Sequence, residues 1–90
     1  MKYEILVSKT FQKQFISLRN DLQKRIMDAL KTLEDDPFQP RSGADIKRIS
    51  HTNPTKYRLR IGNYRIIYDV ENDTVKVIEV FKRGRGYKSL

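Results

Sequence analysis

The stretch Tyr57-Arg58-Leu59-Arg60-Ile61-Gly62-Asn63-Tyr64-Arg65-Ile66-Ile67-Tyr68 decides the fold. Two runs rich in β-branched and aromatic residues flank Gly62-Asn63. A two-residue loop that begins with glycine suits a tight hairpin turn. Such a loop pairs Ile61 with Tyr64, sets Arg60 opposite Arg65 and Arg58 opposite Ile67. Successive strand residues point to opposite faces. One face of the hairpin therefore collects Tyr57, Leu59, Ile61, Tyr64, Ile66, Tyr68 and Val70. The other collects Arg58, Arg60, Arg65, Ile67 and Asp69.

Toward the C-terminus, Asn72-Asp73 can make a second two-residue turn into a strand over Thr74–Lys82. The same parity predicts the pairs Glu71–Thr74, Asp69–Lys76, Ile67–Ile78 and Arg65–Val80. Val75, Val77 and Phe81 then join the apolar face, and Lys82 joins the arginines. Glu79 falls on the apolar face beside Ile66, which this register leaves unexplained. A three-residue second turn would reverse the last strand and remove the conflict.

Toward the N-terminus, Phe38 to Pro54 reads as a loop region broken by Pro40, Gly43 and Pro54. Within it Asp45–Ile49 is a short strand or a turn. Leu22, Ile26, Ala29, Leu30 and Leu33 recur at helical spacing and predict a helix from Asn20 or Asp21 to Asp35. Phe11, Phe15 and Leu18 mark a shorter helix over Lys9–Leu18, with Ser8 as its N-cap. Tyr3–Val7 is a first strand, and its Glu4, followed by Lys9, argues against a signal peptide. The order is βααβββ over a single domain, residues 1–90. The class is α+β, with an N-terminal helical hairpin packed on one face of a mainly antiparallel sheet.

Ninety residues leave room for one core. There is no cysteine, hence no disulfide framework and no thiolate metal site. No apolar run approaches the ~18 residues of a membrane span. A cytoplasmic protein without metal or cofactor is expected. The net charge of +8 is uneven: residues 1–36 carry seven Lys/Arg against six Asp/Glu, residues 37–90 twelve against five. An excess confined to one part of a small domain points to a polyanion surface, although a merely solvated surface has the same composition.

Arg60 opposite Arg65, with Arg58 two residues away, sets like charges together. Such opposition costs a sheet up to about 1 kcal/mol. An anion on that face offsets it, and arginine is suited to bidentate phosphate binding. Lys82, Arg83, Arg85 and Lys88 extend the basic surface, with no acid among residues 80–90. Tyr87 lies among these charges and can stack on a base. The lone histidine, His51, excludes two-histidine ribonuclease chemistry within one chain. No catalytic pair of carboxylates stands out, and Gly84 and Gly86 lack phosphate-loop spacing. The residues alone lead to a nucleic-acid-binding α+β domain.

The stretch Tyr57–Tyr68 resembles the core motif of the RelE/ParE toxin family. The first strand, Phe11-Gln12-Lys13-Gln14-Phe15-Ile16-Ser17-Leu18, the second helix and the basic end Phe81-Lys82-Arg83-Gly84-Arg85 are similar to the same family. The RelE branch is the better match, because ParE-like members generally lack the arginine and tyrosine set near the C-terminus. The resemblance implies the toxin of a toxin–antitoxin pair, a ribosome-dependent endoribonuclease that cuts messenger RNA in the decoding site. There the ribose 2′-oxygen attacks the adjacent phosphate, leaving a cyclic phosphate and a free 5′-hydroxyl. It further implies that Arg65 and Arg83 clamp the scissile phosphate and that Tyr87 stacks on the base. Arg58, Arg60, Lys82 and Arg85 would bind the RNA. Several RelE members carry lysine at the positions of Arg58 and Arg60. Arginine keeps its proton at neutral pH, so Arg60 is a poor general base. The partners implied are a RelB-like antitoxin, in a hetero-oligomer able to bind operator DNA, and mRNA on the ribosome. A ParE-like gyrase inhibitor and a non-catalytic nucleic-acid-binding module are the alternatives.

Overall fold

A computed structural model describes residues 2–83. The elements run β1 (Glu4–Val7), α1 (Lys9–Ile16), α2 (Asn20–Asp35), β2 (Asp45–Ile49), β3 (Lys56–Ile61), β4 (Tyr64–Glu71) and β5 (Thr74–Lys82). The class is α+β as expected, but four strands follow the helices rather than three. Asp45–Ile49 resolves as a strand that pairs antiparallel with β3. The sheet order is β1-β5-β4-β3-β2, with β1 parallel to β5 and the other pairs antiparallel.

The two helices form one apolar layer. Phe11 from α1 and Leu22, Ile26, Ala29, Leu30 and Leu33 from α2 meet Ile46, Leu59, Ile61, Ile66, Tyr68, Val75, Val77 and Val80 from the sheet. Ile26 and Leu33 are fully shielded. Burial of a side chain of this size stabilises the fold by about 1.5–3 kcal/mol. The α1 helix is two residues shorter than its apolar stripe predicts. Ser17 N–H bonds Gln14 O at 3.3 Å and Leu18 N–H bonds Phe15 O at 3.1 Å, so the last turn tightens and stops. Gln23 of α2 donates to Phe15 O at 3.1 Å and Leu18 O at 3.0 Å, which satisfies α1's terminal carbonyls and fixes the hairpin angle.

Beyond α2, the Asp36 carboxylate accepts from Phe38 N–H at 2.9 Å and Gln39 N–H at 3.2 Å, folding the chain around Pro37. The Phe38 bond is the main reason the Asp36 carboxyl is held below its usual range. Tyr68 is fully shielded and donates to Pro37 O at 2.7 Å. Burial pushes its phenol well above the ordinary range.

The β3–β4 register is the expected one: Ile61 opposes Tyr64, Arg60 opposes Arg65 and Arg58 opposes Ile67. Gly62 has φ of 56°, the left-handed conformation that this turn requires of its first residue. The β4–β5 register follows expectation only as far as Tyr68–Val77. A bulge in β5, opposite the Ile67–Tyr68 step of β4, then shifts the ladder, so that Ile67 opposes Glu79, Ile66 opposes Val80 and Arg65 opposes Phe81. Ile78 is the extra residue. The predicted pairs Ile67–Ile78 and Arg65–Val80 are thereby corrected, although the Asn72-Asp73 turn is as short as expected.

The bulge is held by α1. Ser8, the N-cap, accepts from Phe11 N–H at 2.9 Å and donates its hydroxyl proton to Ile78 O. Gln14 Oε1 accepts from Val80 N–H at 2.7 Å. A bulge leaves ladder groups without strand partners, and here helix side chains supply them.

Candidate nucleic-acid interface

With one face of the sheet covered by helices, the other is open. Its side chains stand in cross-strand rows: Asp45–Arg60–Arg65–Phe81 next to the Gly62-Asn63 turn, then Lys47–Arg58–Ile67–Glu79, then Ile49–Lys56–Asp69–Lys76. Arg58, Arg60 and Arg65 therefore share one face. Lys47 joins them through β2, an edge that only the observed pairing reveals.

The bulge redistributes the last residues. Val80 turns into the core at 3% exposure, while Phe81 comes to the open face opposite Arg65. Lys82 opposes Tyr64, on the side of the helices, and does not stand among the arginines as uniform alternation predicts. Glu79 gains its explanation in the same shift: it leaves the core face for the open one.

Asp45 is the acid that sequence reasoning missed. Its Oδ1 lies 3.4 Å from Arg58 Nη2 and its Oδ2 3.8 Å from Arg60 Nε. Both contacts are loose. Arg58 retains only 15% of its side-chain exposure, against 48% for Arg60. Arg58 Nε is buried without a hydrogen-bond partner among the described residues. Arg83 is exposed at the end of β5, and its N–H donates to Asn63 O at 2.6 Å. That bond ties its backbone to the turn next to Arg60 and Arg65. Arg85 and Tyr87 lie outside the described residues.

At the opposite end of the open face the charges balance. Lys76, cross-strand from Asp69 as expected, makes its ion pair with Glu71 instead. That hydrogen bond raises the Lys76 ammonium above, and lowers the Glu71 carboxyl below, their ordinary values. The cationic excess thus belongs to the turn end: Lys47, Arg58, Arg60, Arg65 and Arg83, with Asp45 and Glu79 the acids in the same rows. Five cations around a strand end make a positive surface whose chemistry suits phosphate.

Residues 5–87 match the family described as the ParE toxin of the type II toxin–antitoxin system parDE. The chain belongs to the RelE/ParE toxin family. Within the RelE/ParE toxins it is 31% identical over 87 residues to Toxin RelE3 of Methanocaldococcus jannaschii, covering 97% of this chain and 93% of that protein. The toxin fold of the archaeal RelE–RelB complex from Pyrococcus horikoshii superposes with a TM-score of 0.80 at 30% identity, covering 96% of this chain and 100% of that one. The RelB–RelE antitoxin–toxin complex from Methanococcus jannaschii gives 0.77 at 29% identity, covering 94% and 98%. The isolated Escherichia coli RelE toxin shares the fold, with a TM-score of 0.75 at 19% identity over 97% of this chain and 93% of that one. The protein is a toxin of the RelE type from a toxin–antitoxin system. Among the described residues of this RelE/ParE toxin, no helix is long and apolar enough to cross a membrane.

Proposed function

We propose that this toxin is a ribosome-dependent endoribonuclease that cuts messenger RNA in the decoding site and so arrests translation. The observation that carries this reading is the opposition of Arg60 and Arg65 on the open face, with Arg58 beside them and the backbone of Arg83 bonded to the adjoining turn. Opposed arginines are unfavourable in an isolated sheet. A phosphate between them reverses the sign, and a phosphorane-like transition state, with its additional charge, does so more strongly.

In the reaction the ribose 2′-oxygen attacks phosphorus while the bond to the 5′-oxygen breaks. The 2′-hydroxyl proton leaves to a base, and the departing 5′-oxygen takes up a proton. Arg65 and Arg83 hold the non-bridging oxygens and stabilise the charge that builds on them. Arg58 and Arg60 position the backbone on either side, Arg85 extends that contact, and Lys82 adds long-range attraction from the strand end. Tyr87 stacks on a base and assists proton transfer. Arginine does not serve as the base. Alignment of the 2′-oxygen within the ribosome supplies a large part of the rate.

The partner that restrains this activity is a RelB-like antitoxin, acting in the cytoplasm. Two of the similar solved structures are complexes of RelE with RelB. The toxin–antitoxin complex also binds its operator DNA. Purified toxin added to translating ribosomes, with RNA 5′ ends mapped by primer extension, tests the enzyme. New ends within the coding sequence are expected, and their absence with intact polysomes would sink the reading. The family description as a ParE toxin favours one second reading, inhibition of DNA gyrase. A supercoiling assay with the same protein separates the two.

A further inference from the structure

Beside the arginine rows lies a concavity of about 520 Å³ that the mechanism above does not use. Its apolar walls are Ile49, Ile67 and Ile78, and its polar rim includes His51, Asn53, Glu79 and Lys56, the last cross-strand from Asp69. Ile67 is 3% exposed yet stands apart from the main core cluster. It is shielded on the open face, where the β2–β3 connection lines the same hollow. That connection is internally braced: Thr52 Oγ1 accepts from Lys56 N–H at 3.0 Å and donates to Ile49 O at 3.2 Å. His51 holds φ of 64°, a left-handed conformation uncommon for a residue other than glycine.

The position of the hollow links it to the phosphate surface. Ile67 stands directly between Arg58 and Glu79 in one cross-strand row, and the Arg60–Arg65 row is next to it. Same-face neighbours in adjacent rows are about 7–8 Å apart. A nucleotide whose phosphate rests on the arginines therefore brings its base to the hollow. Single-stranded RNA is read by splaying a base out of its stack, packing its faces on apolar or aromatic groups and bonding its edge. The three isoleucines offer faces, and the polar rim offers an edge.

Glu79 gives the hollow a chemical preference. It makes no ion pair among the described residues and lies on the open face only because of the bulge. A carboxylate accepts hydrogen bonds and does not donate them. Adenine, cytosine and guanine all present an exocyclic amine to such a group. Uracil presents two carbonyls that flank its single N–H. We propose that this hollow is a nucleobase pocket that selects an amino-bearing base beside the cut and disfavours uracil, with Glu79 the specificity-determining residue and Asn53 a second edge contact. This rests on the RNA-cutting reading.

The test sequences all RNA 5′ ends that full-length toxin produces on translating ribosomes, for the wild type, Glu79→Gln and Asn53→Ala. Uridine should be depleted at one fixed position relative to the cut in the wild type. An amide both donates and accepts, so Glu79→Gln should raise the uridine share there at least about fivefold, the lower end of one base-edge contact. The share is normalised to total cuts, so a change in overall rate does not mimic it. Asn53→Ala, on the exposed loop, should alter the base profile at the same position and gives the answer if Glu79→Gln does not fold. Unchanged profiles in the folded variants overturn the pocket while leaving the enzyme intact. If the wild type makes no cuts, the cleavage reading fails separately. The pocket is then judged by fluorescence titration with oligo(A) and oligo(U): an oligo(A) preference that Glu79→Gln removes sustains it, and equal affinities overturn it.

Discussion

Arg60 stands directly across the β3–β4 ladder from Arg65, on the face of the sheet that no helix covers. The arrangement sets like charges together, and the proposed function makes it an anion site, so activity should respond to its removal far more than stability does. Arg65→Ala is expected to lower mRNA cleavage on ribosomes by roughly a hundredfold or more, the loss typical of one transition-state donor. It should abolish growth arrest. Thermal unfolding should show a stability change of no more than about 1 kcal/mol. A fully toxic Arg65→Ala variant would contradict the assignment.

Asp45 tempers the same surface. Asp45→Ala removes the carboxylate that faces both Arg58 and Arg60. Free RNA should then bind more tightly, and the slope of log affinity against log salt should steepen by up to about 0.7, one further single-strand counterion. The ion pairs are loose and the carboxylate is half-exposed, so the expected stability loss stays below about 1 kcal/mol. Anisotropy titrations at several salt concentrations measure the slope.

Tyr68→Phe leaves the Pro37 carbonyl buried without its 2.7 Å donor. The expected cost is about 1–3 kcal/mol by denaturant unfolding. A pH signature accompanies it. Burial raises the Tyr68 phenol above its ordinary value of 10.0 in the folded protein. The unfolded chain therefore loses this proton first as pH rises. The contribution is full below about pH 10 and declines as pH climbs from there toward the folded value. The stability difference between wild type and Tyr68→Phe should accordingly shrink above pH 10, and a constant difference would refute the linkage.

Ser8 joins helix initiation to the placement of the open face. Ser8→Ala removes the cap on Phe11 N–H and the bond to Ile78 O together. A loss of about 2 kcal/mol is expected from the two contributions. Amide exchange should accelerate at Phe11 and at Val80, whose N–H is held by Gln14 from the same helix.

Much of this arrangement is legible in the sequence where a local device dictates it. Gly62-Asn63 defines both the length of a loop and the parity of two strands, so the three arginines could be assigned to one face. The α2 stripe of Leu22, Ile26, Ala29, Leu30 and Leu33 has a single amphipathic solution. Asp45-Ile46-Lys47-Arg48-Ile49 has only two apolar residues, three apart, which breaks strand alternation and is too short a run to make a helix. Its identity as a strand depends on the β3 edge that it covers, and with it the encounter of Asp45 with two arginines. The β5 bulge leaves still less trace, because Ile78 resembles Val77 and Val80 in size and polarity. Glu79 is the residue that betrays it: a carboxylate on the core side of a regular ladder marks the register as one residue out.

Ile78 consequently acts as a phase marker for the end of the chain. Before it, odd-numbered β5 residues such as Val75 and Val77 face the helices; after it, even-numbered Val80 does. Deleting this one residue would restore plain alternation with Glu79 still opposite Ile67 and Val80 still facing the helices, whereas deleting Phe81 would turn Lys82 and Arg83 to the opposite faces. The effect of a length change in this strand therefore depends on its position, and indel scanning of β5 should find toxicity more tolerant of a deletion at Ile78 than of one at Phe81.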